Sequence, residues 1–167
     1  LGIIPSRYHS VRLPGKPLLD IGGKSMIQRV YEQAKQAESI DQVIVATDDQ
    51  RIYDHVIEFG GEAMMTSDTH QSGTDRCAEV AKAHSEHSHI INIQGDEPFI
   101  PPEMIDELAA ALNENVELAT LIKTIDKEGE LLDPNTPKVI INKNQDAIYF
   151  SRYPVPYQRS TQQDRKH

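Results

Sequence analysis

The sequence predicts an α/β fold: a doubly wound, mostly parallel sheet flanked by helices. Three observations carry this. Apolar stretches of strand length recur at 2–4, 42–47 and 89–93, and the one within 42–47, Val43 to Ala46, is a continuous run, as in a strand buried on both faces. The stretches between them carry apolar residues at helical spacing. Strand and helix then alternate in the order βαβαβ, the pattern of a sheet whose ligands gather at the carboxyl ends of its strands.

The 167 residues have the length of one domain. A formal net charge of −9, with Lys and Arg scattered, argues against a nucleic-acid partner. No apolar run reaches membrane-span length, so no membrane partner is expected. The lone Cys77 has no internal disulfide partner, which suits a reducing cytoplasm, and its neighbours Ala78, Val80 and Ala81 suggest burial rather than nucleophilic work. The chain opens without Met and closes on a polar run over 158–167, so it is read as part of a longer protein.

In order along the chain, the first strand, 2–4, is halted by Pro5 and opens into a loop with three fixed cations, Arg7, Arg12 and Lys16. Pro14 and Gly15 set a turn before the lysine. Backbone N–H groups, guanidinium forks and an ammonium suit a phosphate chain. The glycine spacings of the dinucleotide fingerprint and of the P-loop are absent, and a solvated basic loop would show the same charges. A short extended piece follows at 18–21. Ser25 and Gln28 form a capping box opening a helix with Met26, Ile27, Val30, Tyr31, Ala34 and Ala37 on one face. The strand at 42–47 ends at Asp48 and Asp49, which can cap a helix faced by Ile52, Val56, Ile57 and Phe59. A short strand at 62–65 completes the first half.

Ser72 and Asp75 form a second capping box, turning a helix start and its free N–H groups toward whatever the loop 68–76 surrounds. An ordinary helix cap reads the same way. His84, His87 and His89 are spaced for a metal, but no carboxylate or thiolate completes the set, and a solvated connection is expected. The fourth strand, 89–93, runs into Gln94, Gly95 and Asp96. Gly95 permits a sharp bend, and Asp96 is left at a strand end where a single carboxylate can hold Mg²⁺ with phosphate oxygens and water. Pro101 and Pro102 start a helix with Ile105, Leu108, Ala109 and Leu112 on its core face. Strands are expected over 118–125 and 138–142 with a solvated turn between them. Arg152 follows a strand, where a guanidinium can fork a carboxylate or simply close a hairpin. The prolines of 153–157 exclude a central strand.

Ile3-Ile4-Pro5-x-Arg7, followed by Ser10-x-Arg12-Leu13-Pro14-Gly15-Lys16-Pro17-Leu18, resembles the opening signature of the sugar-activating cytidylyltransferases. Gln94-Gly95-Asp96-Glu97-Pro98 resembles their second block. Lys138-Val139-Ile140-Ile141 with Ala147-Ile148-Tyr149-Phe150-Ser151-Arg152 resembles the third. Ser6 stands where the family usually has alanine, and Ser25 replaces a proline; neither removes a charge. The resemblance implies a Rossmann-like, nucleotide-diphospho-sugar transferase-like fold. It implies one nucleotidyltransferase domain over 1–167, lacking a C-terminal third that carries a late histidine, a second magnesium aspartate, further sugar contacts and much of a homodimer interface. It implies magnesium-dependent transfer of CMP from CTP to the sugar acid 3-deoxy-manno-octulosonate (Kdo), with release of pyrophosphate, for lipopolysaccharide synthesis. Transfer to an N-acylneuraminate, or nucleotide binding without catalysis, are the alternatives.

The resemblance also implies roles. Arg7, Lys16 and Asp96 are catalytic, with Asp96 the magnesium ligand. Pro5, Ser6, Arg7, Lys16, Ser72, Gly73, Thr74 and Arg76 hold the nucleotide. Arg12, Gln94 and Arg152 hold the sugar acid, with Arg12 able to serve a phosphate as well.

Overall fold

The apolar stretches become parallel strands: β1 (Gly2–Ser6), β2 (Val43–Thr47), β3 (Ala63–Met65) and β4 (Ile91–Asn92), in the order β3-β2-β1-β4. The computed structural model describes residues 1–9 and 13–156. β1 pairs with β2 from Gly2 opposite Val43 to Ser6 opposite Thr47, and β2 is buried along its whole length. The chain forms two compact units, Leu1–Ala119 and the part from Thr120 onward.

In the first unit helices cover both faces of the sheet. α1 (Met26–Ala34) starts at Ser25, whose Oγ accepts the Gln28 N–H at 3.2 Å; α2 (Gln50–Glu58) starts at Asp49, which accepts the Arg51 N–H at 3.0 Å. α4 (Pro102–Ala111) begins on a proline, whose missing N–H costs nothing in a first turn. These three helices bury Ile27, Val30, Ile52, Val56 and Ile105 against Ile4, Val43 and Val45. On the other face α3 (Gly73–Ala83), opened by the Ser72/Asp75 capping box, packs Cys77 and Val80 against Ile3, Ile44 and Ala46. The chain moves outward from β1 to β2 to β3 and then returns to β4 on the opposite side of β1. This reversal opens a crevice beyond the carboxyl ends of β1 and β4, where sheets of this type bind ligands.

Pro5 does not halt β1. Bonds toward β4 come from odd positions: the N–H groups of Ile91 and Ile93 donate to the carbonyls of Leu1 and Ile3, both at 2.9 Å. Pro5 is the next odd position, so its missing N–H ends the β1–β4 ladder while the pairing to β2 continues through Ser6. β4 is consequently short and leaves the sheet at once. The piece expected to be extended at 18–21 follows a 3₁₀ turn, Lys16–Leu18. α1 stops at Ala34, although Ala37 beyond it is still buried.

The second unit holds a short helix, α5 (Glu128–Leu132), and an antiparallel hairpin of β5 (Lys138–Ile141) and β6 (Ala147–Ser151). Residues 118–125 form no strand, and a helical turn lies within the segment expected to be only a solvated turn. Apolar residues there have no neighbouring strand among the described residues to complete a ladder, and Leu118 is 92% exposed. Lys138 is buried, its Nζ donating to the carbonyls of Asp133 and Arg152.

Candidate functional site

Ser6 closes β1 and is buried. Its Oγ has no hydrogen-bond partner among the described residues, an expensive condition unless a ligand supplies one. Arg7, next along the chain, is exposed and forms no ion pair among those residues. The loop then doubles back: the Gly15 N–H donates to the Tyr8 carbonyl at 2.9 Å. Gly15 has φ 69°, and a Cβ there would lie 3.2 Å from the Tyr8 ring, so both backbone conformation and close approach require glycine. Lys16 leaves this turn with its ammonium directed at β4, since Nζ lies 2.6 Å from Asp96 Oδ2. The Tyr8 ring is covered on another side by Arg51, whose Cζ stands 3.3 Å from the ring centroid.

Gly95, in the turn after β4, packs against the end of β1. A Cβ at Gly95 would meet the Pro5 carbonyl oxygen at 2.9 Å, and one at Gly73 would meet Pro5 Cγ at 3.2 Å. Two glycines from separate elements thus pack on one proline. The capping box uses the Ser72 and Asp75 N–H groups, and the Gly73 and Thr74 N–H groups lie outside the helical ladder. Pro5, Ser6, Lys16, Gly73 and Asp96 therefore meet at the crevice. Both members of the Lys16–Asp96 pair are partly exposed, at 34% and 55%. Such a pair contributes at most about 1 kcal/mol, so it can open for a ligand.

Other expected site residues lie differently. Arg76 is 1% exposed; its guanidinium donates to Thr66 Oγ1 and, at 2.7 Å, to Asp48 Oδ2. It ties α3 to the ends of β2 and β3, and as placed it has no face for a nucleotide. Gln94 is exposed and donates to Asn92 Oδ1 at 3.2 Å. In the second unit Arg152 Nη1 donates to the carbonyls of Pro134 and Asn135, at 3.2 and 3.0 Å. A cavity of about 760 Å³ in that unit is lined mainly by apolar groups, including Leu121, Ile125, Val139 and Phe150. Arg12 lies outside the described residues. Among the described residues no group of three or more metal-ligating side chains occurs; His84 contacts Glu86 and His87 contacts Gln42.

Four contributors escape a reading of local pattern. Asp48 and Thr66 hold Arg76 from 28 and 10 positions away. Arg51 reaches Tyr8 from a helix whose own pattern signals only capping. His70, in the loop before α3, pairs with Glu79, and this bond holds the Glu79 carboxyl below the usual carboxylate range. Burial, by contrast, pushes the Cys77 thiol up to about 11, in keeping with an inert core residue.

A parallel sheet whose carboxyl ends gather a basic loop, an orphaned hydroxyl, a helix start and one carboxylate beyond β4 is an α/β arrangement that suits the phosphates of a nucleotide. The family model for cytidylyltransferases matches residues 1–167. A 3-deoxy-manno-octulosonate cytidylyltransferase of Cytophaga hutchinsonii is 55% identical over 160 residues, covering 95% of this chain and 64% of the relative. One from Parabacteroides distasonis is 53% identical over 165 residues, covering 95% and 65%. Among solved structures, a CMP:2-keto-3-deoxy-manno-octonic acid synthetase complexed with CTP superposes with a TM-score of 0.83 at 45% identity, over 95% of this chain and 66% of that one. A cytidylyltransferase from Leptospira borgpetersenii, 24% identical, shares the fold with a TM-score of 0.57 over 66% of this chain and 47% of that one. The chain belongs to the cytidylyltransferase family, and it spans about 64% of the length of the curated relatives it matches.

Proposed function

We propose that this protein transfers CMP from CTP to 3-deoxy-manno-octulosonate, releasing pyrophosphate. The observation that carries the proposal is the meeting of Lys16 and Asp96, 80 positions apart in sequence, at the crevice beyond β1 and β4. That juxtaposition of a phosphate-seeking ammonium and a metal-seeking carboxylate is what nucleotidyl transfer needs, and the relatives named above act on this sugar.

The donor set fits magnesium in one way only. A single carboxylate cannot cage the ion, but Mg²⁺ is commonly held by one or two carboxylates with phosphate oxygens and water completing its shell. Asp96 is that carboxylate. When bound, the ion offsets charge on the phosphates and lowers the pKa of a coordinated hydroxyl.

The chain's own residues supply position and charge. Lys16 exchanges Asp96 for a phosphate oxygen as the nucleotide enters, and with Arg7 it neutralises the leaving pyrophosphate. Pro5 sets the floor on which Gly73 and Gly95 close. The Ser6 hydroxyl and the N–H groups of Gly73 and Thr74, next to Ser72, meet the nucleotide. The sugar hydroxyl attacks the α-phosphorus in line: a new phosphorus–oxygen bond forms, the bond to the β-phosphate oxygen breaks, and the hydroxyl proton passes to solvent. Gln94, Arg12 and Arg152 are assigned to the sugar acid on the family motifs. A cytoplasmic homodimer serving lipopolysaccharide synthesis completes the proposal.

The test is pyrophosphate release from CTP and magnesium, with and without the sugar. Sugar-dependent release that is lost in Asp96→Ala is expected. Release with an N-acylneuraminate alone would assign another acceptor, and CTP binding with no release from either acid would leave a nucleotide-binding module.

A further inference from the structure

We infer that Arg51 and Tyr8 form a positioning clamp for the phosphate loop, acting through Gly15 on Lys16. The inference rests on the proposed nucleotide site and assigns it two further residues. Arg51 is itself fixed: its Nε donates to Asp49 Oδ1 at 2.9 Å and its Nη2 to Asp49 Oδ2 at 2.7 Å, while Asp49 also caps α2 through the Arg51 N–H. The paired contacts hold the guanidinium plane, which stands over the Tyr8 ring at 3.3 Å. The ring in turn lies 3.2 Å from where a Gly15 side chain would begin, and the Tyr8 carbonyl accepts the Gly15 N–H at 2.9 Å. Gly15 caps the turn that carries Lys16, and Lys16 reaches Asp96. A chain of contacts therefore runs from α2 to the two charges of the crevice.

The clamp has a function beyond packing because it meets the turn that carries Lys16, a charge that the site's own ion pair holds only weakly. Arg7 is unpaired among the described residues, and the Lys16–Asp96 pair is exposed and weak. Without the clamp Lys16 spends less time in the binding arrangement, and apparent nucleotide affinity falls by the lost fraction. Once CTP is bound, its phosphates hold the loop themselves. The clamp thus acts on affinity for the nucleotide rather than on the chemical step.

The experiment is CTP binding by calorimetry on the whole chain, with melting temperature recorded for every variant. Arg51→Met and Tyr8→Leu are each expected to weaken CTP binding about two- to five-fold, the range of an exposed cation–π contact, and the double variant by no more than one of them. Tyr8→Phe, which keeps the ring face, retains wild-type affinity. In a Lys16→Ala background Arg51→Met loses most of its effect, a coupling that a purely structural role would not produce. Unchanged affinity in Arg51→Met, or an equal loss with and without Lys16, overturns the clamp while leaving the nucleotide site intact. Failure of the folded wild-type chain to bind CTP overturns the nucleotide site and the clamp with it.

Discussion

Asp48→Asn should destabilise the protein more than Arg76→Met, although the arginine is the larger and more deeply buried residue. Arg76 is 1% exposed and Asp48 18%. A guanidinium cannot shed its proton, so replacing Asp48 by its neutral isostere removes the counter-charge and leaves a buried cation with neutral acceptors, Thr66 Oγ1 and the new amide oxygen. Removing one partner of a buried pair costs about 3–5 kcal/mol, which the partial exposure of Asp48 moderates to about 2–4 kcal/mol. Arg76→Met removes the cation and keeps most of the volume, while Asp48 can turn toward water; the loss is then about 1–2 kcal/mol. The double variant should resemble Arg76→Met alone, since the stranded charge is gone. Urea unfolding followed by circular dichroism measures all three, alongside CTP affinity of the folded variants. A large loss of CTP affinity in Arg76→Met with an unchanged unfolding midpoint would refute the reasoning, because the guanidinium would then serve the nucleotide and not Asp48.

Gly95→Ala places a Cβ 2.9 Å from the Pro5 carbonyl oxygen, a backbone atom that cannot swing aside, and should cost about 1–3 kcal/mol and disturb Asp96. Gly129→Ala is the internal contrast: nothing lies within 4 Å of the added methyl in α5, and stability should rise by about 0.5–1 kcal/mol, with both changes read by urea unfolding. Cys77, with its thiol pushed from 9.0 up to about 11, should be alkylated at pH 8 about 100-fold more slowly in the native chain than in urea; equal rates would show the thiol to be solvated.

The sheet was legible because a parallel strand buried on both faces is apolar throughout, as Val43 to Ala46 are, whereas β4 shows only part of that pattern and leaves Asn92 exposed. The meeting of Lys16 with Asp96 was legible for a different reason. Both follow strands, and a sheet reversal brings such loops together whatever their separation in sequence. Pro5 was read as a stop because its effect depends on which neighbour its missing N–H would have faced, and that is fixed by the register of β4. The run at 118–125 failed as a strand since strands exist only in pairs, and apolar composition does not name a partner.

The arginines were hardest to place, for a reason that applies beyond this chain. Gly15, Gly73 and Gly95 act within one bond of the backbone, so loop position nearly determines what they permit. A guanidinium reaches several bonds from its own Cα and binds any acceptor with fork geometry. Arg76, at a helix start beside the crevice, turns inward to Asp48; Arg152 takes backbone carbonyls; Arg51, on a helix that the motifs ignore, lies on the loop that holds Lys16. A motif therefore locates the basic residues that a phosphate site draws upon, but the surrounding acceptors decide how each is held, and here Arg7 is exposed with no ion pair among the described residues while Lys16 is held by Asp96 in a partly exposed pair.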